Sequence, residues 1–188
     1  MSSPVPPAPS SGGGAARRGA LAAVITCSNR SAAGARADDS GQLLVDLLEQ
    51  AGWPVGSKAI VADAVPAIQS AIRSAIDGGA RLILTTGGTG LTPTDVTPEA
   101  VRPLLEREIP GIAEALRAPA PGRPPAAALS RGVAGAIGAA LVVTLPGSPA
   151  GARDGMAVLA PLIGHALDQL AGGDHQPGGG MPDGPGHR

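Results

Sequence analysis

The sequence predicts a three-layer α/β domain with a mostly parallel sheet and an antiparallel hairpin at one edge. The first observation is an alternation of short apolar runs and amphipathic segments, in the order strand, helix, strand, helix, strand. Connections of that length and order produce right-handed crossovers and therefore parallel strands. The second is a glycine turn, residues 87–90, directly after one of these runs. The third is a pair of apolar runs between 129 and 145 with Gly138 between them, which is typical of a hairpin.

Composition narrows the class of protein before any motif is considered. The 188-residue chain has no Phe or Tyr, and Trp53 is its single aromatic residue, so it lacks the stacking surface used for single-stranded nucleic acid. A formal net charge of −1 gives no basic footprint for nucleic acid in general. We find neither a membrane-spanning run nor a signal peptide, and the lone Cys27 fits a reducing compartment. We therefore expect a soluble, cytoplasmic protein without nucleic-acid or membrane partners.

Both ends of the chain differ in composition from its centre. Residues 1–18 are mainly Pro, Ser, Gly and Ala with two arginines, a composition that offers almost nothing to bury and predicts a disordered arm. Residues 172–188 have the same character and predict a flexible tail. The folded domain is accordingly expected at residues 19–171, a length that supports one hydrophobic core.

The first half of the predicted domain supplies three parallel strands and two helices. Apolar runs of strand length come between segments whose leucines or isoleucines recur at helical spacing. Turn and capping residues separate them. The predicted elements are a strand at 20–27, a helix capped by Asp39 or Ser40 and ended by Gly52, a strand at 57–62, a helix opened by Pro66, and a strand at 82–86.

The second half is predicted to add one further helix, a short segment, the hairpin and a long final helix. Thr97 and Pro98 have the residue types of an N-cap and first helical position, and so do Ser148 and Pro149. The predicted elements are a helix at 98–107, a short segment at 111–117, strands at 129–137 and 141–145, and a helix from 149 that Gly172 ends.

The residues themselves indicate a phosphate site at the carboxyl edge of the sheet. Two strand-to-helix junctions, 87–90 and 147–149, have the glycines and helix starts that bind anions through main-chain N–H groups. Asp39, Asp63 and Asp95 follow strands along the same edge, where ligands of parallel sheets bind. Carboxylates beside phosphate-binding amides suit Mg²⁺. This pattern predicts a magnesium-dependent enzyme, or a binder, of a phosphorylated small molecule.

Five ordered motifs resemble the molybdopterin adenylyltransferase (MogA/MoaB-like) family of molybdenum cofactor biosynthesis. They are TTGGTG at 85–90, DVTPEA at 95–100, PG at 110–111, LSRGV at 129–133 and LPGSP at 145–149. The resemblance covers about residues 20–171 and implies the molybdopterin-binding fold. It also implies Mg²⁺-dependent adenylylation of molybdopterin by ATP, with pyrophosphate as the second product. A homotrimer and contact with the molybdenum insertase are further expectations of the resemblance.

The same resemblance assigns roles to individual residues of this chain. Asp63 and Asp95 match carboxylates that serve catalysis and bind Mg²⁺ in the family. The remaining assignments are Thr86, Gly87, Gly88, Thr89 and Gly90 for nucleotide phosphate, and Ser28, Asp39, Gly147, Ser148 and Pro149 for molybdopterin.

Two departures from the family pattern leave other functions open. Asn29 stands where many members have Asp, and Thr94 stands where many have Arg. These changes favour a second hypothesis, a molybdopterin-binding or carrier protein without turnover. A third hypothesis is the related domain of molybdenum insertases, because fold alone does not assign function.

Each candidate residue also has an ordinary structural interpretation. The glycine turn needs no ligand, and Asp95 could cap or flank a helix. Cys27 is expected to be a small buried hydrophobe, and His165 a packing or interface residue. Arg131 is expected at the surface of the hairpin, with phosphate contact as the alternative.

Overall fold

The computed structural model describes residues 20–172. The predicted arm at 1–18 and all of the predicted tail except Gly172 lie outside the described residues. Strands within the described range are β1 Leu21–Cys27, β2 Val55–Val61, β3 Ala80–Thr86, β4 Arg107–Glu108, β5 Ala134–Ile137 and β6 Ala140–Leu145. Helices are α1 Asn29–Ala32, α2 Asp39–Gln50, α3 Val65–Asp77, α4 Thr97–Val101, α5 Pro110–Arg117 and α6 Pro149–Leu170, with 3-10 turns at Arg102–Leu104 and Pro125–Leu129.

The six strands form one sheet in the order β2-β1-β3-β6-β5-β4. β2, β1, β3 and β6 are parallel, as right-handed crossovers require. β5 runs antiparallel to β6, and the two-residue β4 runs antiparallel to β5. The predicted class, a mostly parallel sheet with an antiparallel edge, is therefore confirmed.

The antiparallel edge differs from the prediction in its extent. The strand predicted at 129–137 begins only at Ala134, because Pro125–Leu129 forms a 3-10 turn before it. β6 is an interior strand, and the edge position belongs to β4, whose residues 107–108 begin at the predicted end of a helix.

The helix predicted at 98–107 was wrong in its second half. α4 ends at Val101, a 3-10 turn follows, and the main chain then joins the sheet as β4. Pro103 lies in this 3-10 turn and cannot donate a helical hydrogen bond. Pairing of β4 with β5 therefore overrides the high intrinsic helix propensity of the leucine, glutamate and arginine residues at 104–107.

Helices cover both faces of the sheet and give the three layers. On one face α2 and α6 pack on the sheet through a core that includes Leu44, Leu48, Trp53, Leu159 and Ile163. On the other face α3 and α4 bury Ile68, Ile72, Ala100 and Val101 against the strands. Within residues 20–172, no helix combines the length and the apolar character needed to cross a membrane.

Candidate active site

The carboxyl ends of the four parallel strands lie together, and the loops after them meet above this edge. Main-chain hydrogen bonds connect them in pairs: Ser28 N–H to the Val61 carbonyl at 2.9 Å, and Gly87 N–H to the Leu145 carbonyl at 3.0 Å. The hydroxyl of Thr86 donates to the Pro146 carbonyl at 2.8 Å. The sheet thus brings four separate sequence segments to one place.

A polar cavity of about 440 Å³ opens at this edge. Eight of the predicted site residues line it: Ser28, Asp39, Asp63, Thr86, Gly87, Gly88, Asp95 and Gly147. The three predicted carboxylates therefore share one cavity, although their roles stay predictions.

A second, apolar cavity of about 290 Å³ lies on the other side of the glycine turn. Thr89, Gly90 and Ser148 line this apolar cavity, together with Leu116 and Leu129. Pro149, also a predicted site residue, lines neither cavity and begins α6. The predicted residues are thus divided between two compartments that share the glycine turn as a wall.

The glycine turn has a backbone that side chains would obstruct. Gly87 and Gly88 have φ of 99° and 62°. A Cβ on Gly87 would overlap the Cys27 carbonyl oxygen, and one on Gly88 would overlap the Thr97 hydroxyl. These two positions therefore need glycine for conformation and for close approach.

Thr97 secures the turn to α4, which is not the role predicted for it. Its hydroxyl donates to the Gly87 carbonyl at 2.9 Å, and its N–H donates to the Gly88 carbonyl at 3.0 Å. Thr97 is the first residue of α4, and Val96 occupies the cap position without a side-chain cap bond. The predicted N-cap was wrong because the hydroxyl bonds the glycine turn instead.

Asp63 is oriented by Asn29 through two reciprocal hydrogen bonds. Asn29 N–H donates to Asp63 Oδ2 at 2.8 Å, and Asp63 N–H donates to the Asn29 side-chain oxygen at 3.0 Å. The other carboxylate oxygen, Oδ1, is buried and has no hydrogen-bond partner in the described part of the chain. Because buried polar atoms are normally paired, this oxygen at the polar cavity is available to bind a cation or a hydrogen-bond donor.

The Asn29 departure therefore has a structural meaning. Asparagine, like the aspartate of many family members, has a side-chain oxygen that can accept the hydrogen bond from Asp63 N–H. Asn29 therefore provides this hydrogen bond without the negative charge of an aspartate. Thr94 has a different environment, because its hydroxyl lies 3.0 Å from that of Thr92 at the cavity.

Asp95 lies in the loop between the glycine turn and α4. Its Oδ2 accepts hydrogen bonds from Thr92 N–H at 2.9 Å and from the Thr92 hydroxyl at 2.6 Å. These two bonds connect residues three positions apart within the loop, and they leave the other carboxylate oxygen, Oδ1, available to a ligand. Asp95 thus combines the cap-like local role with a position on the polar cavity.

The cap of α2 is Asp38, and the prediction of Asp39 or Ser40 was wrong. Asp38 Oδ1 accepts from Gly41 N–H at 3.0 Å and from the Thr26 hydroxyl at 2.9 Å. Its other oxygen pairs with Lys58 at 3.1 Å. Asp39 is the exposed first residue of the helix, where a carboxylate also favours the positive end of the dipole.

Two arginines that were not predicted as site residues, Arg30 and Arg36, line the polar cavity. Both are exposed and lie in the segment after β1. Their position after a parallel strand was a usable signal, since that segment was already expected at the ligand edge. They bring positive charge to a cavity whose other charged side chains are aspartates.

Ser148 has the predicted cap geometry. Its Oγ accepts from Gly151 N–H at 3.1 Å, and Pro149 occupies the first turn of the 22-residue α6. The positive end of a long helix dipole is therefore directed at the apolar cavity that Ser148 lines.

Cys27 is buried, as predicted, and is chemically inert where it lies. Burial raises the pKa of its thiol to about 12; the nearby Asp63 carboxylate also raises it, against a lowering by the Thr97 hydrogen bond. A thiol with so high a pKa is not a nucleophile at neutral pH.

The donor set of the polar cavity fits a magnesium ion that is completed by substrate. Within residues 20–172, no three Asp, Glu, His or Cys side chains converge to hold a metal unaided. Mg²⁺ commonly uses one or two carboxylates, several waters and the phosphates of a nucleotide. Asp63, with its unpaired oxygen, and Asp95 supply that number of carboxylates.

Fold and site together define a class: α/β proteins with a polar cleft where a glycine turn meets the carboxyl edge of a parallel sheet. The family described as probable molybdopterin binding domain matches residues 23–165. The chain belongs to this family, which confirms the resemblance inferred from the motifs.

Individual relatives agree with this assignment. A molybdenum cofactor biosynthesis bifunctional protein of Synechococcus elongatus is 42% identical over 154 residues, covering 82% of this chain and 48% of that protein. A molybdopterin adenylyltransferase of Pyrococcus furiosus is 34% identical over 77% of this chain and 87% of its own length. The crystal structure of the molybdopterin biosynthesis enzyme MoaB of Thermus thermophilus superposes with a TM-score of 0.76 at 42% identity, covering 81% of this chain and 96% of that chain. The present chain spans about half the length of the bifunctional relatives.

Proposed function

We propose that this protein acts in molybdenum cofactor biosynthesis as a molybdopterin adenylyltransferase. The observation that carries the proposal is the Asp63 carboxylate, oriented by Asn29 with one buried oxygen unpaired beside the glycine turn. A protein that merely stored the pterin would have no use for an unpaired, oriented carboxylate in a separate polar cavity. The name of the Pyrococcus furiosus relative, molybdopterin adenylyltransferase, supports the same reaction class, and that of the Thermus thermophilus protein, molybdopterin biosynthesis enzyme MoaB, supports the same pathway.

The reaction transfers an adenylyl group between two phosphate-bearing substrates. An oxygen of the molybdopterin phosphate attacks the α-phosphorus of ATP and forms a new P–O bond. The bond between the α-phosphorus and the β-phosphate oxygen breaks, and the electron pair leaves with pyrophosphate. The chemistry needs little from the protein beyond alignment and stabilisation of negative charge.

In this proposal the polar cavity binds Mg²⁺-ATP. The main-chain N–H of Gly88 faces the nucleotide phosphates, since that of Gly87 donates to the Leu145 carbonyl. Arg30 and Arg36 offset the phosphate charge at the rim. Asp63 and Asp95 hold the ion, which supplies charge neutralisation at the phosphates when bound.

The apolar cavity takes the second substrate in the same proposal. A fused heterocycle suits the apolar walls provided by Leu116 and Leu129, and Ser148 with the start of α6 offers N–H donors to its phosphate. Gly90 lines the apolar cavity and Gly88 the polar one, so two ligands would meet across the turn. A homotrimer, contact with the molybdenum insertase and a cytoplasmic location are parts of the proposal carried by the resemblance alone.

The direct test is pyrophosphate release by the purified full-length chain. Wild-type protein is given ATP with and without Mg²⁺, and with and without molybdopterin. We expect release that requires Mg²⁺ and pterin together. Tight pterin binding without release would instead identify a carrier. Consumption of added adenylyl-molybdopterin, with no synthesis of it, would identify an insertase domain.

A further inference from the structure

Arg131 connects three separate parts of the chain around the Asp95 loop. Its main-chain N–H donates to the Thr89 carbonyl at 2.8 Å, and its Nε donates to the Gly90 carbonyl at 2.7 Å. Its Nη2 donates to the Asp95 carbonyl, and its Nη1 forms an ion pair with Glu99 in the first turn of α4.

These bonds join the two ends of the loop that carries Asp95. Gly90 and Asp95 are the first and last residues of a segment whose intervening residues, 91–94, are exposed. Inside the segment, hydrogen bonds connect Thr92 with Asp95 and with Thr94. The Arg131 side chain adds hydrogen bonds from outside the segment to both of its ends.

The geometry needs the planar fork of a guanidinium. Nε and Nη2 reach two carbonyl oxygens that lie five residues apart in sequence, while Nη1 is directed to a carboxylate. A lysine ammonium is a single point charge on a flexible stem and does not match this planar arrangement of three acceptors. The Arg131 hydrogen bond is also the main cause of the lowered pKa of Glu99.

The same contacts argue against direct binding of phosphate by Arg131. Each of its three side-chain nitrogens already bonds a protein acceptor, and the residue lines neither the polar nor the apolar cavity. The alternative raised by the sequence, phosphate contact through Arg131, is therefore not favoured.

We propose that Arg131 is a positioning residue that holds the Asp95 loop in the arrangement used for adenylyl transfer; this inference rests on the proposed function. It explains in physical terms why the LSRGV, TTGGTG and DVTPEA motifs occur together. The loop is long and exposed, and its carboxylate is useful when it is held at a fixed distance from the glycine turn.

The test compares Arg131→Gln with Arg102→Gln in the full-length chain. Arg102 forms a surface ion pair with Glu108 at 3.1 Å, and its charge, like that of Arg131, lowers the pKa of Glu99. Arg102→Gln therefore controls for loss of one positive charge near Glu99, without loss of the hydrogen bonds to Gly90 and Asp95 that Arg131 donates. Two quantities are measured: amide hydrogen exchange across residues 90–96, and the kcat and KM for ATP from pyrophosphate release.

For Arg131→Gln we expect at least roughly tenfold faster exchange in the loop and roughly tenfold lower kcat, with KM for ATP changed less than about threefold. Arg102→Gln is expected to match wild type in the exchange rate of the loop and in kcat. Unchanged exchange and kcat in Arg131→Gln would overturn the proposal. A raised KM with unchanged kcat would also overturn it, because it would identify Arg131 as a phosphate ligand.

Two further variants keep the proposal testable if Arg131→Gln folds poorly. Arg131→Lys keeps the charge without the fork, and full activity in it would contradict the need for a bridging guanidinium. Glu99→Gln removes the ion pair and should loosen the loop in the same direction to a smaller extent. If wild type releases no pyrophosphate, the proposed function fails, while the exchange measurement still decides whether Arg131 holds the loop.

Discussion

The junctions after β3 and β6 are neighbours in the sheet, yet they differ in the segment that connects each strand to its helix. After β3, ten residues separate Thr86 from α4, and this loop carries Asp95. After β6, α6 begins within four residues and runs for 22, so its N-terminus presents a full helix dipole. α4 has only five residues and adds little dipole of its own. Similar glycine signatures can therefore supply different chemistry, a carboxylate at one junction and N–H donors at the other.

The largest expected effect is the loss of stability caused by a substitution in the glycine turn after β3. Gly87→Ala should lower the free energy of unfolding by about 3 kcal/mol or more, because a positive φ and an overlap with the Cys27 carbonyl act together. Gly138→Ala is the matched control: its φ is 55° but nothing lies within 4 Å of the added Cβ, so about 1 kcal/mol is expected. Equal losses in chemical denaturation would show that the close approach at Gly87 contributes nothing.

The second prediction concerns the carboxylate that distinguishes the polar cavity. Asp63→Asn should lower kcat for pyrophosphate release by about a hundredfold, because the unpaired Oδ1 loses its charge. Asp46→Asn removes an equivalent charge from the outer face of α2, where Asp46 bonds Gln42, and should leave kcat unchanged. Comparable losses in the two variants would mean that net charge, rather than the site, is responsible.

A third prediction addresses the β6 junction. Ser148→Ala removes the oxygen that accepts from Gly151 N–H and should cost about 1 kcal/mol of stability in thermal or chemical unfolding. Ser148→Thr keeps a hydroxyl oxygen and should recover most of the loss. If the threonine variant is as unstable as the alanine variant, the cap bond is not the cause.

The smallest expected effect is on how the free energy of unfolding depends on pH. The pKa of Glu99 is lowered in the folded protein, chiefly by its hydrogen bond to Arg131. The ion pair therefore stabilises the fold above the pKa of an unfolded glutamate, about 4.3, and this contribution is lost as pH falls through the lower folded value. The free energy of unfolding of Glu99→Gln should accordingly fall less steeply below about pH 4.5 than that of wild type. Parallel curves would contradict the pairing.

The sheet could be predicted from sequence because apolar runs and helical periodicity agreed at each element. β1, β3 and α6 are found close to the predicted positions. The segment around Pro103 could not be placed by local pattern, because its conformation depends on pairing between β4 and β5. Pro103 itself was a signal against a continuous helix.

The sequence was sufficient to predict which loops form the site, but not which side chains contact one another within it. Adjacent Asp38 and Asp39 carry the same side chain, and the sequence does not say which one caps α2. Likewise, Asn29 was interpreted as a missing carboxylate, whereas its bonds to Asp63 become visible when β1 and β2 lie side by side. Arg131 acts on residues 41 positions away in sequence, a distance at which no local pattern operates.

The division of roles between the two junctions is the central claim, and steady-state pyrophosphate release with molybdopterin as the varied substrate tests it directly. We expect Asp95→Asn to lower kcat while KM for molybdopterin is unchanged. We expect the opposite for Ser148→Ala, a raised KM for molybdopterin with kcat close to wild type. If both substitutions change the same parameter, the two junctions do not divide binding and catalysis between them, and the central claim is contradicted.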